Sequence, residues 1–257
     1  MKNYFDFKNQ VALVTGCSTG LGVQMAKALA NQGANIIALA RRQNLVEEVS
    51  KNISGEYKVE TLPITCDVTD TEQVKSAVKT AIDKFGKIDI LINNAGIGAT
   101  ANAEDLSDKD FFDDINTDLF GVFKMTREIA KTSMIPNKYG RIINIASMYG
   151  LVGNKTEPCL SYHSAKGGVV NMTRALAAEW GKYNITVNSI CPGYFYTPLT
   201  KATLDSEALQ KNAKIMIPLE RYGNEGELDT AVIFLASKMS SYVTGVNLTV
   251  DGGYTCV

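Results

Sequence analysis

Short, almost uninterrupted apolar runs recur along the chain, separated by longer stretches in which apolar positions return every three or four residues. Val11–Thr15, 34–40, 58–65, 88–92, 141–146, 186–191 and 246–250 are too brief for helices and are rich in strand formers, so they predict seven strands. Helical periodicity is expected through Ala30, over 71–85, over 108–134, up to Trp180, and over 205–214 and 225–237. Continuous apolar strands alternating with helices imply right-handed crossovers and a parallel sheet covered on both faces. The expected fold is therefore α/β, a doubly wound parallel sheet in three layers. No structureless linker or repeat interrupts the pattern, so residues 1–257 are expected to form one domain.

Charge and cysteine usage narrow the function classes. The formal net charge is -1, with no basic face or tail to suit nucleic acid. Met1-Lys2-Asn3-Tyr4-Phe5-Asp6 lacks the apolar core of a signal peptide, and no apolar run is long enough to span a membrane. The five cysteines are scattered without Cys-x-x-Cys spacing, and there is one histidine, so neither disulfides nor a metal site is expected. A cytoplasmic globular protein is the expectation.

Three stretches carry candidate chemistry. Gly16-Cys17-Ser18-Thr19-Gly20-Leu21-Gly22 lies between the first strand and the first helix, where glycines let backbone approach a pyrophosphate at the helix N-terminus. The second strand ends in Arg41-Arg42, where the adenosine ribose of a bound dinucleotide would lie. Ala40 leaves room there, and two forked, permanently charged guanidinium groups suit a 2′-phosphate, so NADP(H) is expected over NAD(H). Tyr162 and Lys166 stand four residues apart on a helix, hence on one face. A neighbouring ammonium favours the phenolate and is expected to lower the tyrosine pKa from about 10, creating a proton donor and acceptor.

In order along the chain, Thr15-Gly16-x-x-x-Gly20-x-Gly22, Asp67, Asn93-Asn94-Ala95-Gly96, Asn116, Ser147, Tyr162-x-x-x-Lys166 and Pro192-Gly193 together resemble the short-chain dehydrogenase/reductase family in its classical branch. The resemblance implies a Rossmann-type fold and a catalytic set of Asn116, Ser147, Tyr162 and Lys166. Ser147 would polarise the substrate oxygen, Tyr162 would exchange its proton, Lys166 would hold the nicotinamide ribose, and Asn116 would link Lys166 to solvent through a water. Cofactor contacts are implied for Gly16, Ser18, Thr19, Gly20, Leu21, Gly22, Arg41, Arg42, Asp67, Val68, Asn94, Ala95, Gly96, Tyr162, Lys166, Pro192, Gly193, Phe195 and Thr197. A homotetramer or homodimer built through the helices of Asn116 and Tyr162 is also implied. His163 has no acid partner in sequence context and is expected to be a bystander.

The family does not fix the substrate. Tyr194-Phe195-Tyr196-Thr197-Pro198-Leu199, followed by Leu204, Ile215, Met216 and Ile217, and Met148, Tyr149, Leu151 and Val152 after the catalytic serine, suggest an apolar pocket. That composition favours a secondary alcohol or ketone such as a hydroxysteroid or bile acid. The chain also looks similar to the gluconate 5-dehydrogenase-like group at Pro192-Gly193-Tyr194-Phe195 and Asp251-Gly252-Gly253. Sugar acids and 3-oxoacyl thioesters are the alternative substrates, and a dinucleotide-sensing scaffold is the alternative without catalysis.

Overall fold

A computed structural model describes residues 4–155, 157–197 and 200–257. Pro198 and Leu199 of the expected lid, and Met1, Lys2 and Asn3, lie outside the described residues. The elements run β1 (Val11–Thr15), α1 (Gly20–Asn31), β2 (Asn35–Ala40), α2 (Gln43–Tyr57), β3 (Thr61–Thr65), α3 (Thr71–Phe85) and β4 (Ile90–Asn93). One long helical rod follows: α4 (Asp108–Ile115), a π-helical segment (Asn116–Gly121), α5 (Val122–Ile129), a second π segment (Ala130–Met134) and α6 (Ile135–Asn137). Then come β5 (Gly140–Ile145), α7 (Leu160–Trp180), β6 (Ile185–Pro192), α8 (Lys201–Leu204), α9 (Glu207–Met216), α10 (Asp229–Ala236) and β7 (Asn247–Val250).

All seven strands pair in parallel, in the order β3-β2-β1-β4-β5-β6-β7. Alternate residues leave opposite faces of a strand, and both faces are apolar. Ala12 and Val14, with Ile36 and Ala38, meet Met25 and Leu29 of α1 and Val232 and Leu235 of α10. Val11 and Leu13, with Ile37 and Leu39, meet Val74 and Val78 of α3, Met125 and Ile129 of α5, and Leu176 and Trp180 of α7. Neither face could be left to water, so the three-layer arrangement follows from the strand composition.

Element ends differ from expectation where the backbone turns. β3 starts at Thr61 rather than Lys58 because Lys58, at φ 58°, closes α2 in the left-handed conformation. Gly226, at φ 87°, breaks the pattern before α10, which begins at Asp229. The strand order reverses beside β1, whose neighbours are β2 and β4. In open α/β sheets that reversal opens a crevice at the carboxyl ends of the strands. The glycine turn, Asn93-Asn94-Ala95-Gly96 and Ser147 all lie at those ends.

Candidate active site

The crevice holds two cavities that share Leu21, Asn94, Gly96 and Ile97 as walls. The larger, about 650 Å³, runs from the glycine turn to the end of β2 and over β3. Its lining includes Gly16, Ser18, Thr19, Gly20, Leu21, Arg41, Arg42, Asp67, Val68, Asn94, Ala95, Gly96 and Thr197. Gly16 and Gly20 take φ of 65° and 62°, a conformation open to glycine, and Thr19 places no side-chain cap on the first turn of α1. The free N–H groups of that turn and the bare backbone above it fit a pyrophosphate. Arg42 lies across the turn, its guanidinium donating to Ser18 Oγ at 2.9 Å and to Thr19 Oγ1 at 3.3 Å.

Two of the expected cofactor contacts are placed differently from the rest. Gly22 lines neither cavity; a Cβ there would sit 2.5 Å from the Gly16 carbonyl oxygen, so this glycine lets α1 pack against the turn. The ring of Phe195 is buried in the core against Gly223, so contact with a nucleotide would fall to its backbone, as expected. Asn94 binds the turn as well as the crevice, its Nδ2 donating to the carbonyls of Thr15 and Gly16 at 3.1 and 3.3 Å.

The smaller cavity, about 400 Å³, is lined by Ser147, Tyr162, Lys166, Pro192 and Gly193 with Asp118, Thr100, Tyr149, Glu157 and Cys159. Ser147 stands in extended conformation just past β5. Its hydroxyl accepts from the Tyr149 N–H at 3.1 Å and hydrogen-bonds to the phenol oxygen of Tyr162. One helical turn on, buried Lys166 places Nζ 5.4 Å from the Tyr162 ring centre and donates to the Ile145 carbonyl at 3.0 Å. Ser147, Tyr162 and Lys166 are thus brought together as expected.

Asn116 is not brought with them. It is exposed, and its Oδ1 accepts from Lys124 Nζ at 3.4 Å. Facing Lys166 instead is Asp118, fully buried, with Oδ2 3.0 Å from Nζ. Positions two apart on a helix point to nearly opposite sides, so only one of the two can face α7. A sequence signal existed: Asp118 is in register with Val122, Met125 and Ile129, all buried, so it is the polar member of an apolar stripe. Asp114, one turn earlier, is also buried and accepts from Ser161 Oγ at 2.5 Å and Ala99 N–H at 3.0 Å.

The electrostatic balance differs from the expected one. Burial pushes the Tyr162 phenol above its ordinary pKa; Lys166 pulls it down, and Asp118 pushes it back up. Burial, the largest single influence, opposes the Lys166 ammonium, but Asp118, Tyr162 and Cys191 together favour it and the net direction is upward.

The apolar lid is packing rather than pocket. Met148, Leu204 and Ile217 are buried against Tyr149, Tyr222 and Tyr254, and Ile215 is 81% exposed. None of the described aliphatic residues of the expected lid lines the cavity that holds Tyr162, so the composition of the lid does not support a hydroxysteroid or bile acid. Among apolar neighbours such as Ile97 and Ile145, Tyr149 and Glu157 give that cavity hydrogen-bonding groups. Tyr149 and Tyr194 join through their hydroxyls, Asn154 Nδ2 donates to Tyr149 at 2.5 Å, and Tyr194 donates to Glu157 at 3.5 Å. His163 stacks on Tyr149, ring centres 4.5 Å apart, and so supports this wall.

The comparisons agree with this geometry. A family model described as enoyl-(acyl carrier protein) reductase matches residues 16–255. The 2-dehydro-3-deoxy-D-gluconate 5-dehydrogenase of Escherichia coli (strain K12) is 39% identical over 254 residues, 97% of each chain. The 3-oxoacyl-(acyl-carrier-protein) reductase of Thermotoga maritima is 36% identical, covering 96% of this chain and 98% of that one. Among solved structures, a gluconate 5-dehydrogenase from Burkholderia cenocepacia J2315 in complex with NADP and tartrate superimposes with a TM-score of 0.93 at 33% identity, covering 99% of this chain and 98% of that one. With the glycine turn, the Ser147-Tyr162-Lys166 cluster and these relatives in accord over nearly its whole length, the chain belongs to the short-chain dehydrogenase/reductase family, whose members are oxidoreductases acting on alcohol and carbonyl groups.

Proposed function

We propose that the protein interconverts a secondary alcohol and a ketone on a polyhydroxylated, sugar-acid-type substrate, using NADP(H). The observation that supports the substrate class is the pair of hydrogen-bonding groups Tyr149 and Glu157 on the wall of the cavity that holds Ser147, Tyr162 and Lys166, which suits a hydroxylated substrate; Tyr194 and Asn154 hydrogen-bond to Tyr149. The named gluconate dehydrogenases among its relatives support the same class. A 3-oxoacyl thioester is the second reading, favoured by the 36% identical reductase. The NADP(H) preference is supported by Arg41 and Arg42 in the cavity wall and by the NADP in the Burkholderia enzyme.

The dinucleotide supplies or accepts the hydride when bound. The chain's own residues handle orientation and the proton. Ser147 directs its hydroxyl at the oxygen where charge develops, and Tyr162 gives that oxygen a proton during reduction or removes it during oxidation. Lys166 lies beside the phenol and would hold the ribose of the bound dinucleotide. Assembly through the helices bearing Asp118 and Tyr162 belongs to the same reading. It is supported by Phe112, Phe120 and Phe123, exposed by 67%, 52% and 37% along the outer face of that rod.

The test is turnover with NADPH and, in parallel, NADH across keto-sugar acids, neutral ketoses, 3-oxoacyl thioesters and oxo-steroids. Turnover of the sugar-type ketones with NADPH is expected, falling by about 10²–10⁴-fold in Tyr162→Phe. Activity confined to the thioesters would replace the substrate class. Nucleotide binding with no turnover on any carbonyl would revive the sensing scaffold.

A further inference from the structure

Asp118 has no place in the reaction as described so far, although it lies on the wall of the catalytic cavity. The π-helical segment turns it inward, and Gly96 makes room for it: a Cβ on Gly96 would stand 2.6 Å from Asp118 Oδ2. Oδ1 is held by the Ile97 N–H at 2.7 Å. Oδ2 faces Lys166 Nζ at 3.0 Å, and both side chains are withdrawn from water, with 0% and 4% of their area exposed. A carboxylate in this position does something that a neutral amide of the same shape would not. It opposes the positive charge of Lys166 beside the Tyr162 phenol.

We propose that Asp118 is a positioning residue that neutralises Lys166, keeps Tyr162 protonated at neutral pH and so confines alcohol oxidation to alkaline solution. The inference rests on the proposed carbonyl–alcohol reaction for its consequence, but not for its physical content. Tyr162 sees few other charges. Lys166 and Cys159 flank it on α7 and its entry, Asp118 reaches it from the π segment, and Ser147 bonds to it from the end of β5. Asp114, on α4, adds a like charge behind Asp118, and Cys191 of β6 lies near Lys166. Of these, Lys166 is the strongest charge favouring the phenolate, and Asp118 is the strongest opposing it. Burial is the largest influence on the Asp118 carboxyl and its pKa lies above the ordinary value, while Lys166 at 3.0 Å and the Ile97 N–H act in the opposite direction and favour the carboxylate.

For a proton-exchanging phenol the sign is direct. In reduction, the protonated phenol is the competent form, and raising its pKa extends that activity to higher pH. In oxidation, the phenolate is competent, and raising its pKa moves the rising limb of the rate toward alkali.

The experiment is titration of the Tyr162 phenol in the protein without nucleotide, by ultraviolet difference absorbance with Tyr162→Phe subtracted. It is run on the natural chain, Asp118→Asn, Asp118→Ser and Gly96→Ala; in the last, the new Cβ displaces the carboxylate. The natural chain is expected to ionise Tyr162 above the ordinary tyrosine range. The variants that fold are expected to ionise it lower by about one pH unit or more, the effect of removing a close like charge. The alkaline limb of kcat for alcohol oxidation should move down with it, whereas a purely structural role would lower the rate without moving the limb. A natural-chain midpoint at or below that of free tyrosine, or variant midpoints coincident with it, would overturn the proposal. A shifted midpoint with no carbonyl turnover would reject the proposed reaction and leave the ion-pair role standing. Turnover with unmoved midpoints would do the reverse.

Discussion

Asn116 and Asp118 show how much one residue's bearing on a helix decides. Both are short and polar, and both occur in the stretch Asn116-Thr117-Asp118-Leu119, yet one is exposed and the other faces Lys166. The same precision governs Arg42, whose guanidinium already reaches two hydroxyls of the glycine turn. A 2′-phosphate placed there would gain charge-assisted hydrogen bonds that a 2′-hydroxyl would not. Arg42→Ala is expected to raise KM for NADPH by about tenfold or more while KM for NADH stays nearly constant. Steady-state kinetics with both nucleotides checks this, and an equal effect on the two would assign Arg42 to holding the turn alone.

At the scale of elements, the site depends on how closely α1, β1 and the Asn93–Gly96 stretch approach one another. Gly22 is where they meet. An added Cβ would stand 2.5 Å from the Gly16 carbonyl and 2.6 Å from Asn94 Nδ2, and backbone cannot yield as a flexible side chain does. Gly22→Ala is therefore expected to cost about 1–3 kcal/mol of stability, the range for overpacking, and to weaken dinucleotide binding by reshaping the turn. Thermal unfolding and nucleotide titration by fluorescence measure the two effects. Gly20→Ala offers a contrast, since its Cβ would meet only Thr197 at 3.6 Å and the strain would come from φ of 62°.

For the whole molecule, the crevice is a consequence of topology, and the loop before α10 is held by an exposed ion pair. Arg221 grips Glu227 through two bonds of 2.7 Å, and the Asn224 N–H adds a third of 2.7 Å. These bonds, the arginine first, hold the Glu227 carboxyl down to about 2. A depressed carboxylate pKa stabilises the folded chain above the ordinary carboxylate range, and that contribution disappears as pH falls toward the folded value. The pair is solvent-exposed, so the effect is modest. The Tm difference between the natural chain and Glu227→Gln is expected to narrow steadily from pH 5 to pH 2, whereas a constant difference would mean that packing, not charge, holds this loop. No described helix is long and apolar enough to cross a membrane.

Period and punctuation by themselves determined the α/β class, the seven strands and the parallel sheet. An apolar run of five residues bounded by glycines leaves few structures that bury it on both faces. The glycine turn, Arg41-Arg42, Ser147 and the Tyr162–Lys166 pair were legible for a similar reason, because each works through its neighbours in sequence or through its place at the end of a strand. Tertiary structure alone decided the rest. It decided that Asp118 and not Asn116 meets Lys166, because facing α7 is a property of the rod's rotation and of its π turn. It also decided that Met148, Leu204 and Ile217 fill the core under the lid while Tyr149 and Glu157 wall the cavity. Composition records which residues are apolar, but only packing from distant elements determines which of them remain available to a substrate.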